Sequence, residues 1–195
     1  WEPKPIRVNY RTVATPYADR EVASFFRAAS AQSTGLLRTA FSAILLLGLG
    51  AGLDGRWVTR IRRCDVLVHP EGVYICAPAP APRIVPVWHT FGRGLGDFAA
   101  GDSDELVVGG YLAKPRNWLS EMSSRFVLPA TTPRLQAGRL RSTWLLRHLE
   151  AGTRLPELVQ AAGLDGVTVL SDLVSLVTPL NTSDRYRMLR GGDHA

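Results

Sequence analysis

Apolar residues recur along this chain in two distinct periods, and the switches between them mark out its elements. Thr15 followed by Pro16 reads as a helix cap with proline at the first helical position, opening a helix to about Ala31 with Val22, Phe25 and Phe26 on its inner face. Gln32 to Gly35 is a turn, and from Leu36 the chain becomes apolar on every side, the pattern of a helix buried all round. Glycines punctuate its end, and a short helical segment runs to Ile61. Val66–Val68 and Val73–Cys76 are β-branched runs joined by His-Pro-Glu-Gly, a turn signal, and Arg83–Val87 supplies a third strand. The Ala-Pro repeat before that strand cannot donate ladder hydrogen bonds.

Residues 88–105 form a helix or irregular segment that ends in the acidic Gly-Asp-Ser-Asp-Glu turn, and Leu106–Tyr111 is a short apolar run. Lys114 to Phe126 reads as a helix whose N-terminus carries Lys114, Arg116 and Asn117, where free backbone N–H groups suit a phosphate. From Gly138 onward the pattern is helical. Leu140, Thr143, Trp144 and Leu149 face inward, with Arg139, Arg147 and His148 outward. Pro156 opens a further helix that Gly163 ends, and Thr168–Val177 is one more.

Residues 1–14, rich in proline and basic side chains, read as a linker leading in from a preceding domain, residues 15–180 as one folded domain, and residues 181–195 as a polar, flexible tail. With 195 residues, 46% of them apolar, the chain can build a single core. A net charge of +6 and a pI near 9.9 suit a phosphate-binding surface. Cys64 and Cys76 are not spaced as a metal pair, which excludes a zinc site and fits a reducing cytoplasm. His69, His89, His148 and His194 are too scattered to form a site. The apolar run Thr39–Leu53 is short for a bilayer span, and Gly48–Gly52 lacks the strand and lysine of a phosphate-binding loop. No cofactor, metal, membrane or small-molecule substrate is expected.

Two stretches carry more specific information. Leu45–Val66, LLLGLGAGLDGRWVTRIRRCDV, and Gly138–Leu164, GRLRSTWLLRHLEAGTRLPELVQAAGL, resemble the conserved boxes of the tyrosine recombinases, the phage integrase family. Gly52, Leu53, Arg62, Asp65 and Val66 match the first box, and Leu140, Arg141, Thr143, Leu149, Glu150, Ala151 and Gly152 match the second. The resemblance implies a mainly α-helical catalytic domain with a small antiparallel three-stranded β-sheet. It also implies where the reactive groups would stand. The first arginine position holds Asp54, the histidine position Gly138, the lysine position Ala81, the second histidine or tryptophan position Leu164 and the nucleophilic tyrosine position Leu173. Arg141 alone is retained.

Cleavage in this family needs a tyrosine oxygen to attack phosphorus while cations stabilise the anionic transition state and a lysine protonates the leaving oxygen. Leu173 cannot attack, and Asp54 adds negative charge where it is least wanted. The resemblance therefore implies a catalytically inactive DNA-binding protein with double-stranded DNA as partner, a regulator or architectural factor for a mobile element. Its candidate DNA contacts are Arg141, Arg139, Arg83, Arg60, Arg62, Arg63, Lys114, Arg116 and Asn117. Arg141 has a second expected role, an ion pair with Asp54 that compensates a buried guanidinium. One alternative is a protein-interaction module that oligomerises or binds an active integrase through its C-terminal helix. Another is an active recombinase with relocated residues, for which Tyr186 is the remaining nucleophile to consider.

Overall fold

A computed structural model describes residues 13–78, 82–100 and 103–191. Its organising element is the helix α2, Gly35–Ala51, whose apolar residues are buried almost without interruption from Ala40 to Ala51. A helix apolar on all faces needs partners on all faces. Those partners are α1 (Asp19–Ser30), α4 (His89–Ala99) and α6 (Ala137–Glu150). Thr34 caps α2 by accepting a hydrogen bond from the Leu37 N–H, and Gly52 ends it in the left-handed conformation at φ 59°.

Two glycines of this helix and its cap set how closely α6 approaches. A Cβ at Gly48 would lie 2.7 Å from the Leu140 Cβ, and one at Gly52 would lie 2.2 Å from the Trp144 ring. Leu140 and Trp144 are buried as a result. On the other flank Phe25 of α1 meets Phe41 edge-on at 6.3 Å, and Phe41 stacks on Phe126 at 4.2 Å. Gln32, read from sequence only as part of a turn, is buried. Its amide donates to the Ala28 and Val127 carbonyls and accepts from the Val127 N–H, closing α1 onto the segment after α5 (Trp118–Arg125).

The three strands β1 (Val66–His69), β2 (Gly72–Ala77) and β3 (Arg83–Pro86) form an antiparallel sheet in the order β1-β2-β3. The register pairs Val66 with Ile75 and Ile75 with Val85, so these three side chains share the buried face. Before the sheet come α3 (Gly55–Val58) and a 3-10 turn at Arg63–Asp65. This mainly helical domain with one small antiparallel sheet is the fold class that the sequence implied. Among the described residues no helix is long and apolar enough to cross a membrane.

The boundaries depart from the sequence pattern where tertiary contacts intervene. Helix α1 begins at Asp19 rather than at Pro16, with Ala18 extended as its cap, because Tyr17 is tied elsewhere: its N–H donates to the Thr143 hydroxyl at 2.8 Å, and its own hydroxyl donates to the Arg134 carbonyl at 2.7 Å. Glu21 then accepts from the Ala18 N–H and serves the helix start. After α7 (Leu155–Ala162), the single helix anticipated over Thr168–Val177 is split into a 3-10 turn at Val167–Leu170 and the one-turn α8 (Ser171–Val174). Val167, Thr168 and Val169 are consecutive β-branched residues, which crowd an α-helix. Within the 181–195 segment expected to be a flexible tail, the chain winds into α9 (Thr182–Leu189), capped by Asn181 accepting from the Asp184 N–H. The linker expected over 1–14 lies outside the described residues up to position 12.

His148 and Arg147, expected on the outer face of α6, turn to the protein instead. Arg147 pairs with Asp19 at 3.1 Å and covers the Phe91 ring. His148 lies edge-on between Trp88 at 4.7 Å and Trp144 at 4.4 Å, sharing a hydrogen bond with Thr153. Burial there lowers its pKa, since the imidazolium has lost water without gaining a carboxylate.

Two outcomes are expected. Gly52→Ala combines a left-handed backbone with overpacking against Trp144 and should cost about 3 kcal/mol in urea unfolding, whereas Gly138→Ala, with room for a Cβ, should be nearly neutral. For His148 the folded pKa lies below the unfolded value of about 6.5, so its contribution to stability is complete above that pH and is lost as pH falls toward and through the folded value. Melting temperatures from pH 8 to 5 should fall in the parent and fall less in His148→Gln; parallel curves would contradict this.

Candidate functional site

The two boxes converge on the end of α2. Gly52 turns the chain out of the helix, Leu53 is buried, and Asp54 becomes the cap of α3, accepting from the Arg56 N–H at 3.0 Å and the Trp57 N–H at 3.4 Å. An aspartate therefore has a local structural task here, orienting a helix whose Trp57 and Val58 enter the core.

Arg141 rises from the start of α6 into the same corner. Its guanidinium donates to the Gly52 carbonyl at 2.5 Å and to the Ala162 carbonyl at 2.7 Å. These carbonyls close the C-terminal ends of α2 and α7, where backbone acceptors lack helical partners and the dipole favours a cation. Arg141 thus ties two helix ends together. The expected direct ion pair with Asp54 is not formed among the described residues. Asp54 acts through space: burial lowers the Arg141 pKa, the Asp54 carboxylate raises it, and neighbouring Arg83 lowers it further.

Arg83 reaches the corner from β3. Its Nε donates to the Ala161 carbonyl at 2.9 Å, and its guanidinium lies 5.2 Å from the Trp57 ring. Left-handed Gly163 makes the room, for a Cβ there would come within 2.9 Å of the Arg83 guanidinium carbon. Burial lowers the Arg83 pKa and Asp54 opposes the shift.

A cleft of about 800 Å³ opens in front of this corner, and Asp54, Gly138, Arg141 and Leu164 all line it. Four positions that the family resemblance assigned to chemistry are thereby brought together. Gly138 is exposed at the cleft and presents no side chain. Leu164 packs on the core edge. Leu173 stays apart, 1% exposed and packed into the core from α8. Ala81 lies outside the described residues. Tyr186 is exposed on α9 and does not line the cleft.

The remaining basic candidates divide by what holds them. Arg139 stacks on the Tyr17 ring at 3.9 Å, donates to the Thr15 and Pro16 carbonyls and lies 3.7 Å from Glu21. Arg62 donates to the Asp104 carbonyl, and Arg63 pairs with Glu105 at 2.7 Å beneath Phe98. Lys114 lies over Trp118 at 5.4 Å, and Asn117 donates to Glu121 instead of offering a free helix end. Arg60 and Arg116 are exposed. Tyr17, which binds the segment before α1 to α6 through Thr143, was missed by sequence reasoning. The only available signal was an aromatic residue directly after Pro16. Tyr17 also has a raised pKa, chiefly from burial.

Removing Arg141 leaves two carbonyls at buried helix ends without their donor. Arg141→Ala should destabilise by about 3 kcal/mol in urea unfolding, at ~1–3 kcal/mol for each acceptor left unsatisfied. Arg141→Lys, which lacks the fork, should recover less than half; an Ala variant as stable as the parent would show that the tie carries no weight.

No family model matches the sequence, and no curated protein matches it. Solved structures do. XerA recombinase superposes with a TM-score of 0.60 at 16% identity, over 97% of this chain and 66% of that one. XerH site-specific recombinase, bound to its palindromic difH substrate in a post-cleavage complex, gives 0.64 at 11%, over 92% and 53%. The catalytic domain of bacteriophage HP1 integrase gives 0.57 at 13%, over 90% and 94%. The chain spans about half to two thirds of the Xer recombinases and nearly the whole HP1 catalytic domain. This chain has the fold of a tyrosine-recombinase catalytic domain.

Proposed function

We propose that the protein is a catalytically inactive, recombinase-like DNA-binding protein, regulatory or architectural, acting in the cytoplasm at the nucleoid. The observation that carries this reading is the cleft itself. Asp54, Gly138 and Leu164 line it at positions to which the family resemblance assigns donating or charge-stabilising groups, and Leu173, at the position it assigns to the nucleophile, is packed into the core. Transition-state stabilisation requires donors aimed at developing charge. Here the one retained arginine already gives its guanidinium to two carbonyls.

The DNA half of the proposal draws on the net charge of +6 and on the DNA-bound state of the XerH structure with the same fold. Fold likeness supplies a prior for this and the site must supply the contacts. Arg60 and Arg116 are the cations of the candidate set whose side chains are turned to solvent without bonds to other described residues, so they are assigned the backbone contacts. Arg139, Arg62, Arg63 and Lys114 act behind them by shaping the surface.

A second reading is favoured by one observation. Val174, Leu176, Leu180, Tyr186, Met188 and Leu189 are all exposed along α8, α9 and the segment between them. An apolar run of this kind suits a protein partner, either a second copy or an active integrase. Light scattering over a concentration series separates the readings, a strict monomer arguing against this one.

Duplex DNA binding is expected to weaken linearly in log affinity against log salt, with a slope of about −0.9 per phosphate contacted. Arg60→Glu with Arg116→Glu should flatten that slope by about two units; absence of binding at low salt overturns the DNA reading. On nicked suicide substrates no covalent protein–DNA adduct should form, even in Leu173→Tyr, because the neighbouring donors are missing and the new hydroxyl is buried. A trapped adduct would overturn catalytic inactivity.

A further inference from the structure

The apolar run Leu106–Tyr111 does not stay together in the fold. Leu106, Val107 and Val108 are buried, and the Val107 N–H donates to the Ile61 carbonyl at 2.9 Å. The chain then reverses through Gly109 and Gly110, both at positive φ, 92° and 78°, and Tyr111 and Leu112 emerge on the outside. Leu112 is 81% exposed, more than any other large apolar side chain among the described residues, and Tyr111 beside it is 55% exposed.

A lone apolar side chain on a slack loop is ordinary. This tip is held stiffly. The Gly109 N–H donates to the Leu106 carbonyl at 2.7 Å, the Leu106 N–H to the Gly110 carbonyl at 2.8 Å, and the Gly110 N–H to a Glu105 carboxylate oxygen at 3.3 Å. Glu105 is itself paired with Arg63, and Leu106 bridges to Arg62, so the base of the turn is tied to the segment before β1. Cations follow at once. Lys114 lays its ammonium over the turn, 3.1 Å from where a Gly110 Cβ would be, and Arg116 is exposed. Leu119, shortly after, lies 3.0 Å from where a Gly55 Cβ would be, which sets the start of α5 against the start of α3, next to Asp54 at the cleft.

On a duplex the phosphates suit the cations, and an apolar side chain gains only where it leaves water, between base pairs or against thymine methyl groups. Tyr111, Leu112 and Ala113 offer one hydroxyl between them, too little to read the donor and acceptor pattern of the major groove. The minor groove, about 6 Å wide, admits a narrow tip, and apolar wedges that enter there part the base steps. A stiff turn suits that task, because a slack one would fold back rather than part the stack. We propose that Leu112 is a wedge that enters the minor groove of bound duplex DNA and unstacks a base step, while Arg116 holds a neighbouring phosphate. This rests on the DNA-binding reading.

The test measures the linking number of a closed circular plasmid relaxed by topoisomerase I in the presence of the full chain and then freed of protein. Unstacking unwinds the duplex, so the parent should leave the plasmid negatively supercoiled in proportion to the protein bound. At equal occupancy Leu112→Ala should lose about three quarters of that shift, and Leu112→Phe, which keeps a wedge, should retain it. The salt slope of Leu112→Ala should match the parent's, since no phosphate contact is lost, while Arg116→Glu flattens it by about one unit. Melting temperatures should be unchanged in all three variants, because both side chains are exposed.

Equal linking-number shifts in parent and Leu112→Ala, with duplex bound, overturn the wedge and leave the DNA reading standing. A parent that binds no duplex at low salt overturns both. If Leu112→Ala keeps the shift but loses self-association in light scattering, the tip is a protein contact and the wedge is overturned.

Discussion

Everything in this domain is arranged around the burial of α2. From Ala40 to Ala51 this helix is apolar on nearly every side and can be stable only inside other elements, so α1, α4 and α6 are obliged to surround it. Close approach is the second half of that constraint. At Gly48 and Gly52 the backbone itself forms the contact surface for Leu140 and Trp144, bringing the start of α6 against the end of α2. That single approach places Arg141 within reach of the Gly52 carbonyl and next to Asp54.

The corner formed there illustrates how the fold itself can hold a buried arginine. A guanidinium is costly to bury without partners. Two helix C-termini provide them, because their last carbonyls are unpaired and carry the negative end of the dipole. Asp54 adds its field from the cap of α3, opposing the desolvation of both Arg83 and Arg141. Asp54, expected from sequence as a direct ion-pair partner of Arg141, instead serves as a helix cap and as a through-space counter-charge.

Surface arginines show a related economy. A chain with 23 basic residues looks like a broad anion-binding surface, yet several of the most suggestive ones are spent on the fold: Arg139 on Tyr17 and the segment before α1, Arg63 on Glu105 and Phe98, Arg147 on Asp19 and Phe91. Planar guanidinium groups favour such uses, since they stack on rings while donating to carbonyls. Charge counts therefore overstate how much of the positive surface is free for a phosphate backbone.

Short-range physics made much of the fold legible in the sequence. Continuous apolarity announced α2 as a buried helix, β-branched runs around His-Pro-Glu-Gly announced the hairpin, and the family resemblance implied one site for Asp54, Gly138, Arg141 and Leu164, which line one cleft. Local pattern was insufficient where a distant partner decides the outcome. The start of α1 depends on Thr143 and Arg134 holding Tyr17, and His148 points inward because Trp88 and Trp144 enclose it. Likewise, Gln32 serves as a clamp only because Val127 comes to it. Sequence by itself determined where the main helices and the hairpin lie and which side chains the two boxes carry, because periodicity and side-chain chemistry are local. Only the tertiary structure decided what Arg141, Arg139 and Asp54 are for, because the carbonyls, rings and helix ends that engage them come from elements far apart in the chain.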